Sequence, residues 1–342
     1  MIPRLEIHFS LSEQWRFLFG KPYVPEENEF LLNHARSGIL LALKAAGLPE
    51  GSGVGVMAYN CHTVMNAVKQ AGCKPVFLDV TDRLKLDLDD LWAKKEGLSA
   101  IVVSHLFGIV NDVKLIKERF PELIVIEDCA HAYGLADLYG DFAVFSIGQG
   151  KLPSIGDGGI LLVLKDQYRD QVVSFYSALP GYSFAQSAKL FMKLWVMSWI
   201  YSPFIYGWMT LPIKRKRGVP SGTEPIFPQK MSRGVSAVYA VKRGRVQEMI
   251  ASRKKNASDL LSGLPDGETT HAFMGENAFM LVLSCDDPAR MKELFRQRGV
   301  EADTHFAHSI TWAGSFGYVP GTCPRAEYLI NHLLMIPSYS LK

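Results

Sequence analysis

The chain predicts an α/β protein built on a mostly parallel sheet covered by helices, followed by a smaller α+β domain. Between about residues 37 and 164, apolar runs of five or six residues alternate with amphipathic runs. Those short runs are apolar almost throughout rather than at every second position, the pattern of strands buried on both faces. In addition, an acid and a serine close two of the runs, and a lysine follows on a glycine-rich loop. Sheets of this kind bind ligands beyond the carboxyl ends of their strands, where these residues fall.

The predicted strands are Val54–Ala58, Pro75–Asp79, Ala100–Ser104, Leu123–Glu127, Phe142–Ser146 and Gly159–Leu164. Helices are expected between them at Ser37–Ala46, Thr63–Ala71, Leu88–Glu96 and Val113–Arg119, where apolar residues recur at helical spacing. From Met231 a long helical stretch leads into the last section. There a strand (Ala278–Ser284), a helix (Pro288–Arg298) and a helix near Arg325–Leu334 suggest the α+β part. The expected division is a large domain over 1–245, with an apolar insertion at about 190–213, and a small domain over 246–342.

Composition narrows the function classes. The 342 residues can bury a sizeable core, and 48% hydrophobic with 21% charged residues is ordinary for a globular protein. A formal charge of +3 with scattered basic residues gives no footprint for nucleic acid. The five cysteines (Cys61, Cys73, Cys129, Cys285, Cys323) are odd in number and form no CxxC pair, so neither a disulfide framework nor a zinc site is expected. A reducing, cytoplasmic compartment is favoured. The start, MIPRLEIHFSLSEQWRF, has no long apolar core and does not read as a secretory signal.

Lys151 carries the chemistry. It lies in FAVFSIGQGKLPSIGDGG, five residues after Ser146 and just before Gly158–Gly159, downstream of LIVIEDCAHAYG with Asp128 at the strand end. This order suits pyridoxal 5′-phosphate (PLP): a lysine for the Schiff base, an acid against the pyridinium nitrogen, a serine for the phosphate. Asp128 read alone is equally an acid capping a turn, and Lys151 alone a solvated surface lysine; their coupling favours the cofactor. The helix opening ARSGILLALKAAG would offer the amides of Gly38, Ile39 and Leu40 to phosphate, although Ser37 also suits an ordinary N-cap. Cys61 or His62 in AYNCHTV could lie over the ring, and His131 could pack on its other side or reach the ring oxygen. His105 is expected to shape the ligand edge of the sheet.

Together these segments resemble the DegT/StrS-type nucleotide-sugar aminotransferases, which are fold-type I PLP enzymes. The matching pieces are RSGILLAL, AYNCHTVMNAVKQAGCKPVFLDV, IVVSHLFGIVNDV, VIEDCAHAYG, GDFAVFSIGQGK and GDGGILL. Fainter echoes are KMSRGVSAVYAVKR, GVEADTHFAH (which holds His305) and PRAEYLINHLLMIPSY. The resemblance implies Lys151 as Schiff-base lysine, Asp128 as pyridinium partner and Ser146 as phosphate ligand. It also implies a homodimer with shared active sites, a keto-sugar acceptor and glutamate as donor. Relatives that dehydrate carry histidine at the lysine position, so Lys151 favours amino transfer.

There are departures. The family's SGT reads Ser37–Gly38–Ile39, its stacking aromatic reads Cys61, and the asparagine–tyrosine–arginine stretch reads Pro228–Gln229–Lys230. Arg36 is placed to offset lost phosphate donors; Arg36, His305 and Lys230 are also candidates for substrate binding. The uncharged stretch 194–213, followed by KRKR at 214–217, fits either a segment at the membrane surface or a hydrophobic dimer contact, and a full span less well. Two rivals to the sugar aminotransferase stand: another PLP-dependent transferase or lyase on this fold, and a non-catalytic sensor or scaffold.

Overall fold

The computed structural model describes residues 1–134, 137–215, 222–262 and 271–339. The strands among them are β1 (Glu29–Leu32), β2 (Gly53–Met57), β3 (Lys74–Leu78), β4 (Ala100–Ser104), β5 (Ile124–Asp128), β6 (Phe142–Ser146), β7 (Gly159–Val163), β8 (His271–Met274), β9 (Met280–Ser284) and β10 (Leu333–Pro337). The first seven form one sheet in the order β1-β7-β6-β5-β4-β2-β3. β2 to β6 run parallel, and only β7 opposes its neighbours. β8 to β10 form a separate antiparallel sheet in the order β10-β9-β8.

Helices bridge the parallel strands, since a parallel connection needs a crossover. Those that matter for the site are α1 (Leu11–Phe19), α2 (Ala35–Ala45), α3 (His62–Gln70), α4 (Leu88–Lys94), α5 (Val113–Arg119), α6 (Arg169–Ser177) and α7 (Phe184–Ile200). β4 and β6 are buried along their whole length, as their unbroken apolar runs require. Ser104 stands in register with Asp128 and Ser146 with Gly159, so these polar residues line up along one edge of the sheet.

Three local expectations are corrected. α2 begins at Ala35, not Ser37: His34 is extended (φ −149°) and takes the N-cap place, leaving Ser37 and Gly38 inside the first turns. β1 (EFLL) is too short to show a period and was not anticipated; it pairs antiparallel with β7. The C-terminal helix stops at His332, and Leu333–Pro337 leaves it as a strand pairing with β9. LLMIP is buried at every position, a run in which helix and strand periods look alike.

The helix Val246–Ser262 lies at the expected division between the domains and leads toward the second sheet. The hydrophobic core nevertheless runs across that division, joining Val54 and Ile101 of the large sheet to Val246, Phe279 and Leu333. The apolar stretch 194–213 is broken into the end of α7, a short helix at Pro203–Ile205, a π-helical turn at Tyr206–Thr210 and a helix at Leu211–Arg215. Among the described residues no helix is long and apolar enough to cross a membrane. Residues 216–217 of the basic run lie outside the described residues.

α7 opens with a capping box between Ser183 and Gln186 and buries Leu190 and Leu194, one helical turn apart. Leu194 abuts the loop that follows Lys151: a Cβ built on Gly156 would lie 2.2 Å from Leu194 Cδ2, and Gly156 has φ +101°. Gly156→Ala is therefore expected to cost about 2–4 kcal/mol in urea unfolding. Gly181→Ala, in open space, should change stability by less than about 0.5 kcal/mol. Combining Gly156→Ala with Leu194→Ala should cost less than the two changes summed; strict additivity would show that the contact does not exist.

Candidate active site

A cavity of about 330 Å³ opens at the carboxyl ends of the parallel strands. Its wall takes Arg36 and Ile39 from α2, Asn60 and Cys61 from the turn after β2, Ser104 and His105 from the end of β4, and Asp128 and His131 from the end of β5. Ser146, Gln149 and Lys151 come from β6 and its loop, Asp157 from the turn before β7, Lys193 from α7, and His305 with Phe306 from the C-terminal part.

The two acids ending β5 have different surroundings, because successive strand residues face opposite ways. Glu127 is wholly engaged. Its Oε1 accepts from the backbone N–H groups of Tyr139 and Gly140 (2.6 Å each), and its Oε2 accepts from His105 Nε2 (2.9 Å). His105 Nδ1 accepts from the backbone N–H of Asn111, which fixes the ring proton on Nε2. His105, Glu127 and Cys129 bring ligand atoms within 4.8 Å of one another, yet the imidazole and carboxylate are already committed to these bonds. Asp128 faces the cavity. Its Oδ2 accepts from Ser104 Oγ (2.8 Å) and its Oδ1 from the backbone N–H of Ala130 (3.1 Å). Asn60 Nδ2 donates in turn to Ser104 Oγ (2.9 Å), so the carboxylate is oriented by a buried relay.

Lys151 is half-buried, and its ammonium makes no hydrogen bond or ion pair among the described residues. The Phe279 ring lies beneath it, 5.8 Å from Nζ to the ring centre. Burial lowers its pKa below the ordinary lysine value, against the opposing pull of Cys61 and Asp128. His131 stacks on Phe279 at 4.4 Å and 14°, and its Nδ1 accepts from the backbone N–H of Phe107 (3.2 Å). Burial, and then the nearby Lys151 charge, hold its pKa well below the usual histidine value. His305 Nδ1 accepts from Arg4 Nη1 (2.9 Å).

Nine of the residues singled out in the sequence reach this cavity: Lys151, Asp128, His131, Ser146, Ile39, Cys61, Arg36, His305 and His105. Four do not. Ser37 turns inward and donates to Asn33 Oδ1 (2.8 Å), because α2 starts two residues earlier than expected. Gly38 is a packing residue: an added Cβ would lie 3.0 Å from Val144 Cγ1. His62 faces Trp312, with ring centres 4.6 Å apart. Lys230 donates to the carbonyl of Ser177 (3.2 Å) and lies over Tyr176. Asn60, Ser104, Gln149 and Lys193 were not anticipated. The first two are polar residues at strand ends and were legible in principle; Lys193 sits beside the apolar stretch and gave no signal of its own.

The model of the DegT/DnrJ/EryC1/StrS aminotransferase family matches residues 22–341. GDP-perosamine synthase of Escherichia coli O157:H7 is 31% identical over 145 residues, 40% of each chain. The matched segment thus spans about two fifths of the length of the first curated relatives. The dTDP-3-amino-3,4,6-trideoxy-alpha-D-glucose transaminase of Micromonospora megalomicea subsp. nigra is 23% identical over 331 residues, 90% of this chain and 79% of that one. Among solved structures, the aminotransferase TlmJ from Streptoalloteichus hindustanus superposes with a TM-score of 0.74 at 19% identity, covering 98% of this chain and 93% of its own. That likeness extends the fold over nearly the whole chain.

The lowered Lys151 amine has a stability signature. The unfolded lysine, titrating near about 10.4, binds more protons than the folded one in the window between the two values. Native stability of cofactor-free protein should therefore rise with pH through that window. Lys151→Met should be more stable than wild type at pH 7, and its advantage should shrink as pH approaches about 10. Urea midpoints across this range test it; a constant difference would mean that folding leaves the lysine unperturbed.

Proposed function

The chain belongs to the DegT/DnrJ/EryC1/StrS aminotransferase family, and on that premise we propose that it is a PLP-dependent aminotransferase acting on a sugar. It carries an amino group from glutamate to a keto-sugar, nucleotide-linked, in polysaccharide or glycoconjugate synthesis. The observation that supports this most is one cavity lined by the Lys151 amine, the Asp128 carboxylate and the Ser146 hydroxyl. The fit is chemical: a depressed amine, an acid with lone pairs toward the cavity, and a buried Gln149 amide nitrogen with no protein acceptor.

When bound, PLP supplies an electron-withdrawing ring that stabilises negative charge on the amino donor's α-carbon. The chain's own groups do the rest. Lys151, its pKa lowered by burial, would be both the attachment point and the base that takes the proton from the donor's α-carbon and hands it on to the cofactor's C4′. Asp128, fixed by Ser104 and Ala130, would accept a hydrogen bond from a protonated ring nitrogen and keep that proton in place. Ser146 would donate to a phosphate oxygen. His131, whose Nδ1 accepts from the Phe107 N–H, carries its proton on Nε2 and would have it to donate to the ring's oxygen. Cys61 would offer a small polarizable face, and His305, which also lines the cavity, is the candidate for the sugar's polar groups.

The same reading includes a homodimer and a cytoplasmic enzyme that meets the inner membrane surface through residues 194–217. No acidic residue occurs from 171 to 223, against six basic ones, and Trp199, Phe204 and Trp208 are 59%, 87% and 74% exposed. Basic residues beside exposed aromatics suit an anionic headgroup layer.

Two experiments test these claims. Purified protein with PLP should show a visible absorption band that glutamate shifts and a keto-sugar nucleotide restores. Lys151→Ala should lose that band and slow the half-reaction by about 10²–10⁴-fold or more; a band that survives the substitution counts against the reading. A protein that gives no such band would instead be a non-catalytic member of the fold. In flotation with vesicles containing phosphatidylserine, wild type should float and Trp199→Ser/Trp208→Ser should remain at the bottom; equal behaviour of the two rejects the membrane contact.

A further inference from the structure

Three donor groups reach the cavity without a partner. Arg36, half-buried on the first turn of α2, makes no hydrogen bond or ion pair among the described residues. The Lys193 ammonium, brought in by α7, likewise has none. Gln149 Nε2 is buried and has no acceptor among the described residues. A buried amide left unsatisfied is a standing cost to the fold, so its persistence in a cavity wall calls for an acceptor from outside the chain.

The protein's own acids do not answer these donors. Asp128 already accepts from Ser104 and Ala130. Asp157 accepts from Tyr182 Oη (2.9 Å) and stands 3.2 Å from His34 Nδ1. Two hydroxyl routes to an anion are also closed: Ser37 Oγ is spent on Asn33, and residue 39 is isoleucine. What remains is a guanidinium, an ammonium, an amide N–H and the Ser146 hydroxyl. Together they match a ligand that only accepts and carries about two negative charges.

We propose that Arg36, Gln149 and Lys193, with Ser146, form a phosphate-monoester subsite, so that the α7 segment itself supplies a cation to the cofactor's phosphate. This rests on the cofactor reading above. The monoester is favoured over a substrate diphosphate because Gln149 and Ser146 stand two and five residues before Lys151 on one loop. An anion bound there is tethered to a small ring at the amine. α7 then acts as part of the binding site, pressed on the loop through Leu194 and reaching over it through Lys193.

The test compares PLP with pyridoxal, which lacks the phosphate, by fluorescence-detected binding to wild type, Arg36→Met, Gln149→Leu and Lys193→Met. Each variant should weaken PLP by at least about tenfold and leave pyridoxal unchanged. Inorganic phosphate should raise the melting temperature of wild type and not of the variants. Gln149→Leu, which removes the unsatisfied amide, should melt higher than wild type without ligand, separating loss of binding from loss of fold. Unchanged PLP affinity overturns the subsite, as does equal weakening of PLP and pyridoxal. So does loss of stabilisation by a nucleoside diphosphate alone, since the cations would then serve the substrate. Wild type that binds pyridoxal as tightly as PLP ends the subsite but spares the aminotransferase reading; wild type that binds neither ends both.

Discussion

The Asp128 carboxylate, held at both oxygens at the end of a buried parallel strand, is the constraint on which the site depends. Ser104 reaches it from the neighbouring strand because the two stand in register. The neighbouring Glu127 is pinned on the other side by two backbone N–H groups and His105. One acid thus anchors the strand end and the other is aimed by it. If the register slipped by one residue, the two carboxylates would exchange faces and the pinned one would enter the cavity.

Around this anchor the cavity's charges are arranged by burial. Lys151 lies over the Phe279 ring and has no carboxylate close enough to pair among the described residues, so desolvation dominates its protonation. His131 lies between aromatic neighbours with one nitrogen committed to the backbone, and is driven neutral. A lysine whose pKa is shifted down, beside an imidazole held neutral, suits proton transfer. Burial is the first cause of both shifts and is not screened by salt, whereas the Lys151 charge acting on His131 is the smaller cause.

The large sheet was legible because both-face burial writes five-residue apolar runs that nothing interrupts; β4 and β6 fall on the predicted residues. That Lys151, Asp128 and Ser146 would meet in one cavity was legible because their spacing set them at strand ends and on the adjoining loop. β1 and β10 were not. A four-residue strand has no measurable period, and LLMIP following a helix carries a continuous apolar signal that either element would give. Ser37 misled for a related reason: serine before an apolar run is a standard helix start, whereas His34 caps by backbone conformation alone. Lys193 was hidden because its position depends on how α7 folds back over the loop, which no local pattern encodes.

The inward hold of α7 comes down to Leu190 and Leu194, while its outer face carries Trp195 and Trp199. Those indoles could be exchanged for small polar groups with little loss of internal packing, and the exchange would improve solubility. The helix that carries them is the one resting on the loop that follows Lys151.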